Sequence, residues 1–176
     1  MKTRPLALRQ ATVDVNHPDA RTGIYEVDAS LLINGIAVGP DDSLYYTEDK
    51  TVRKIDRGGN VSTVAKDVRV SGCTAIPGIE ATMQPDLRGL AVASNGALFV
   101  AATGCGALLE ISPKGAVKTV LRTESPWSPT AVATSPGGVF VLEYLHTAEE
   151  DRRAWLPRVR KILPDGSTKI VAAVTR

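Results

Sequence analysis

Short apolar runs, broken at close intervals by Gly, Asn, Asp and Pro, recur along this chain. The clearest set is LRGLAVASNGALFVAATGCGALLEISPKGAVKTVL, residues 87–121. Its Val, Leu, Ile, Phe and Ala segments predict four buried strands, at Gly89–Ala93, Ala97–Thr103, Ala107–Ser112 and Val117–Leu121. Ser94-Asn95-Gly96, Gly104-Cys105-Gly106 and Pro113-Lys114-Gly115 join them, and Gly and Asn supply the positive φ angles that tight hairpins need.

The same pattern returns on either side. GIAVGPDDSLYY, GLAVASNGALFV and TAVATSPGGVFV fall under one another, as do VRKIDRGGNVSTV, LLEISPKGAVKTV and VRKILPDGSTKIV. A four-stranded unit with two apolar faces cannot bury both alone, and radial stacking of such units hides each face against a neighbour. The columns therefore predict an all-β fold, a β-propeller of four-stranded antiparallel blades. A β-sandwich also has short strands and frequent turns, but it does not predict columns that realign. The predicted blades are 33–65, 87–121 and 128–172, within one propeller domain spanning 1–176. Residues 1–32 read as a partial blade, and 66–86 as a long connection whose length suggests a role of its own. Closed propellers have about four to eight blades, so three and a part form an arc. A homodimer closing the ring, a longer propeller of which this chain is a fragment, or a small closed ring are the three solutions, and the first is favoured.

Composition narrows the classes. The chain has 176 residues and a formal charge of +2, which gives no reason to expect nucleic acid as a partner. Hydrophobic residues make up 43%, enough for a packed core. No apolar run approaches the roughly 18 residues of a membrane span, and MKTRPLALRQATVDV lacks the apolar core of a secretory signal peptide. Two cysteines, Cys73 and Cys105, do not complete a protein zinc site, which takes about four ligands. His146 follows Glu143 by three residues, a spacing at which proton transfer is conceivable but a plain loop histidine is commoner. No G-x-S-x-G elbow and no H-E-x-x-H motif occurs. The mixed charges of Glu149, Glu150 and Asp151 with Arg152, Arg153, Arg158, Arg160 and Lys161 predict a solvated, self-paired loop rather than a nucleic-acid patch, and Trp127 and Trp155 flank the third unit as packing groups or as a ligand platform.

The paired patterns GIAVGPDDSLYYTE with VRKIDRGGNVSTV, and GLAVASNGALFVAA with LLEISPKGAVKTV, resemble NHL-repeat proteins and the related gluconolactonase, or senescence-marker, type of six-bladed propeller. The run SPWSPTAVATSPGGVFVLEYLHTAEEDRRAWLPRVRKILPDGS resembles the last blade of bacterial members. The resemblance covers 33–172 and implies that the usual protein is longer and commonly exported to the periplasm or beyond. It also implies a divalent cation, Ca²⁺ or Mg²⁺, held near the axis by carboxylate and Asn side chains. The matching positions are the start of each first strand and the end of each second strand. They offer Asn34, Glu48 and Glu143 as metal ligands, with Asp49 beside them, and Arg88, Thr103, Thr130 and His146 as further residues of the ligand face. The middle unit departs from the pattern, since Arg88 and Thr103 stand where carboxylates are wanted.

In this topology Cys105, in a 2–3 loop, and Cys73, in the preceding connection, lie on one face, where they either bond or remain two separate small residues. Fold-level likeness says little about activity. The expectation is a binding or scaffold module for a small molecule or a protein partner, without intact catalysis. The alternative is a cation-dependent, lactonase-like hydrolase whose site is completed by a second chain or by a missing N-terminal half.

Overall fold

The computed structural model describes residues 33–74, 76–79, 81–146 and 155–175. The expectations for 1–32, including the partial blade, and for the loop charges of 149–153 lie outside them. The described residues of the unit Ile33–Arg176 hold three four-stranded antiparallel sheets. Blade 1 comprises β1 (Ile33–Val38), β2 (Leu44–Glu48), β3 (Thr51–Ile55) and β4 (Val61–Ala65). Blade 2 comprises β5 (Leu87–Val92), β6 (Leu98–Ala102), β7 (Ala107–Ile111) and β8 (Val117–Arg122). Blade 3 comprises β9 (Trp127–Ser135), β10 (Gly138–Leu145), β11 (Pro157–Ile162) and β12 (Thr168–Ala173). Every sheet is a simple meander, in sequence order. This is a partial β-propeller.

The repetition extends to the turns. Each 3–4 hairpin closes with the same pair of backbone hydrogen bonds. Asp56 N–H donates to Asn60 O and Gly59 N–H to Asp56 O; Ser112, Ala116 and Gly115 repeat this in blade 2, and Leu163, Ser167 and Gly166 in blade 3. Gly59, Gly115 and Gly166 hold φ of 82°, 83° and 83°, a left-handed conformation open to Gly at little cost. The 2–3 connection of blade 2 differs from a simple hairpin. Thr103–Cys105 forms a 3-10 turn that Gly106 closes at φ 55°.

The first strands lie side by side, β1 against β5 and β5 against β9. Their approach depends on a column of small residues. A Cβ on Gly35 would lie 2.1 Å from the Arg88 carbonyl oxygen, and one on Gly89 would lie 2.5 Å from Ala131 Cα. Hydroxyls join the blades at the same level. Thr47 Oγ1 donates to Arg88 O at 3.4 Å, and Thr103 Oγ1 to Pro129 O at 2.8 Å. Arg88 and Pro129 occupy the same column of the repeat.

Two cores result. Leu98, Val100, Ala102, Leu109 and Ile111 of blade 2 pack with Tyr45, Val52 and Ala65 of blade 1. Leu108 and Phe99, pointing the other way, pack with Val132, Val139, Val141 and Ile162 of blade 3. Strand alternation thus sends apolar residues to both faces of blade 2, as its near-continuous apolar sequence requires. The outermost strand β12 is exposed along its whole length. Ile36 and Val38, at 66% and 65% exposure, mark an apolar stripe on β1.

Candidate functional site

The connection 66–86 is stapled to blade 2. Cys73 and Cys105 form a disulfide with Cα atoms 4.6 Å apart. Gly104 N–H donates to Pro85 O at 3.0 Å and Thr103 N–H to Asp86 O at 3.0 Å. Arg122 donates to the carbonyls of Ser71 and Gly72. A cavity of about 410 Å³ lies beside the disulfide, lined by Lys50, Asp67, Arg69 and Gln84 among others.

The connection ends at Asp86, which is buried at φ 50° and directly precedes β5. Its Oδ2 accepts from Arg88 Nε at 3.0 Å. Arg88 starts the innermost strand of blade 2, and its side chain is 39% exposed. It lines a second cavity, of about 360 Å³, with Thr130 of β9, Tyr144 at the end of β10, His146 just beyond it, and Trp155. Thr130 stands in the column that Gly35 and Gly89 occupy in the other blades, so a side chain fills the direction that those blades keep empty. Its Oγ1 donates to Leu142 O at 3.3 Å.

His146 is the least ordinary residue of this mouth. Its backbone N–H donates to Pro126 O at 2.9 Å. The ring lies 4.4 Å from the Trp155 ring, tilted by 41°. The residue is 1% exposed, yet neither ring nitrogen has a hydrogen-bond partner among the described residues. Burial, helped by the positive charge of Arg88, lowers its pKa to about 4, so the imidazole is neutral near pH 7. A buried polar group left without a partner costs about 1–3 kcal/mol and calls for an explanation.

The carboxylates suggested as cation ligands are engaged elsewhere. Glu143 is fully buried; its Oε2 accepts from Arg158 Nε at 2.5 Å and its Oε1 from Arg160 Nε at 2.6 Å. Arg158 also lies 3.8 Å over the Trp127 ring, so that Trp packs beneath a cation. Glu48 accepts from Arg53 Nε at 2.6 Å, and Asn34 is exposed at the start of β1. Among the described residues no three His, Cys, Asp or Glu side chains gather as a metal-binding group.

The structure thus brings Arg88, Thr130 and His146 to one mouth and leaves Thr103 out of it. Thr103 is fully buried, and Ser128 Oγ donates to its carbonyl at 2.5 Å, so its work is to join blades 2 and 3. His146 and Glu143, near in sequence, do not form a proton-transfer pair, because two guanidinium groups occupy the carboxylate. Tyr144 escaped the sequence reading, although it falls in the column of Thr103, at the end of a second strand where other site residues were sought.

No family model matches the chain, and no curated protein matches it. Solved structures do. A streptogramin B lyase superposes at a TM-score of 0.58 with 14% identity over 82% of this chain and 41% of its own. A gluconolactonase from Xanthomonas campestris gives 0.60, with 13% identity over 82% and 48%. The virginiamycin B lyase of Staphylococcus aureus gives 0.52, with 12% identity over 82% and 42%. The fold is accordingly that of gluconolactonase-like and virginiamycin B lyase propellers. The chain spans less than half the length of these three structures.

Proposed function

We propose that this chain is part of a propeller binding module whose ligand is a small molecule seated between the ends of blades 2 and 3. The carrying observation is the buried, unpartnered imidazole of His146 at a mouth that also holds an oriented guanidinium. Such a pocket combines aromatic walls with few, fixed polar groups, as small-molecule sites do. The other wall comes from the rest of the ring, supplied by a second copy of the chain or by further blades of a longer propeller. The solved propellers, of which the match covers 41–48%, support that need. The disulfide supports an exported protein in an oxidising compartment. The test is an NMR screen of the full chain against sugar lactones, hydroxy acids and small cyclic esters. Saturable shifts of the Trp155 indole and His146 ring signals, lost in His146→Phe, are expected. A screen in which no compound moves either signal overturns the reading.

A second reading is enzymatic, and one observation favours it: the His146 imidazole is neutral near pH 7, the form that accepts a proton, although burial makes it a weak base. In the cation-dependent, lactonase-like version, Asn34, Glu48 and Glu143 would contribute oxygen ligands to Ca²⁺ or Mg²⁺. Two of the three would first have to leave their arginines, so this version is the weaker. Lactone hydrolysis that rises with added Ca²⁺ or Mg²⁺ and vanishes in Glu143→Gln supports it; turnover unaffected by chelator and by that variant overturns it.

A further inference from the structure

We infer that the mouth between blades 2 and 3 selects a carboxylate carried on a flat ring. The inference rests on the small-molecule reading above and names the ligand class of that same site.

Charge comes first. Arg88 is the one charged group among the described lining residues, since His146 is neutral near pH 7. Geometry sharpens this. Asp86 pairs with Arg88 through Nε, so the two terminal nitrogens of the guanidinium remain available to a ligand. That planar pair matches the two oxygens of a carboxylate, and Arg binds such groups bidentately where Lys offers only a point charge. Asp86 can hold Arg88 in place because it is itself held: its side chain is 3% exposed, and its carbonyl accepts from Thr103 N–H in the 2–3 turn of blade 2.

The remaining walls describe the body of the ligand. Tyr144, His146 and Trp155 present three rings, and ring faces favour a flat partner. His146 lines the same mouth, but its ring nitrogens expose no surface there, so its contribution is packing against the Trp155 ring.

The test uses the full chain with two probes of equal shape, benzoate and benzamide, followed through the Trp155 indole and His146 ring signals by NMR. Benzoate is expected to shift both saturably, with benzamide at least tenfold weaker. Arg88→Gln is expected to erase that preference while leaving the remaining spectrum in place. If this variant does not fold, the two probes on the unaltered protein still decide. Equal binding of benzoate and benzamide overturns the carboxylate assignment and leaves the mouth standing as a small-molecule site. Failure of both probes, beside hits among the lactones or cyclic esters of the earlier screen, also overturns it.

Discussion

In blade 2, Ala102 and Leu109 sit where blade 3 has Glu143 and Arg160, and where blade 1 has Glu48 and Arg53. The three pairs share one position of the repeat and the same side of their sheets. Blade 2 fills it with apolar groups that are 0% and 1% exposed. Blade 3 fills it with an ion pair, extended by Arg158, around a carboxylate that is also 0% exposed. Both solutions pack, because a buried carboxylate with two guanidinium partners has its charge and most of its lone pairs answered, and an apolar pair has none to answer. They fail differently. Shrinking Leu109 leaves a cavity, whereas removing Glu143 leaves two cations without their anion.

The largest effect should come from breaking the ionic version. Glu143→Ala is expected to cost about 3–5 kcal/mol in urea unfolding, the usual penalty for orphaning a buried charge. Adding Arg160→Leu, which copies the middle blade, is expected to recover part of this loss. Recovery stays incomplete because Arg158 still lacks its carboxylate. If the double variant is no more stable than the single one, the two solutions are not interchangeable.

Next comes the staple of the apolar blade. Replacing Cys73 and Cys105 together by Ser opens a loop with a sequence separation of 32 and is expected to cost about 2–4 kcal/mol. The same loss should follow reduction by dithiothreitol in the unaltered protein, and a much smaller loss would mean that the hydrogen bonds of Thr103 and Gly104 hold the connection unaided.

The end of blade 3 adds a dependence on pH. The folded His146 pKa, about 4, lies below the unfolded value of 6.5. The unfolded chain therefore binds more protons between these values, and stability rises with pH there. The contribution is complete above pH 6.5 and declines as pH falls towards 4, by up to about 3 kcal/mol. His146→Phe should flatten that part of the stability profile, and parallel profiles for the two proteins would contradict the assignment. Smallest is the pair of blade 1, whose cation is partly exposed. Arg53 is 35% exposed, so Glu48→Ala should cost about 1 kcal/mol or less, well below Glu143→Ala, and added salt should shrink it further.

The architecture was readable because it is written repeatedly. Short apolar runs, turn glycines and realigning columns each point to the same blades, and the observed strands of blade 2 begin and end within two residues of their expected limits. The lining of the candidate site was legible only by position: Arg88 and Thr130 stand in the first half of first strands and His146 just past the end of a second strand, and all three line one cavity. Pairing was not readable. Glu143 lies three residues from His146, but its partners are Arg158 and Arg160 on the neighbouring strand, and cross-strand register decides this rather than sequence distance. The lack of partners on His146 was equally invisible, since it depends on burial by Trp155 from across the 2–3 connection. Thr103 misled for a related reason: a hydroxyl at the end of β6 serves the adjacent blade's carbonyl as readily as a ligand.

Gly35 belongs to a blade that contributes nothing to the mouth between blades 2 and 3, yet it works as a spacer for that mouth. The carbonyl it abuts is that of Arg88, so the missing methyl sets how deeply the first strand of blade 2 seats, and with it the height at which the guanidinium is offered. Thickening the spacer to Ala would push the strand outwards and carry the arginine with it. Ligand affinity would then change at a position that no ligand touches, and a survey of pocket-lining residues would miss it.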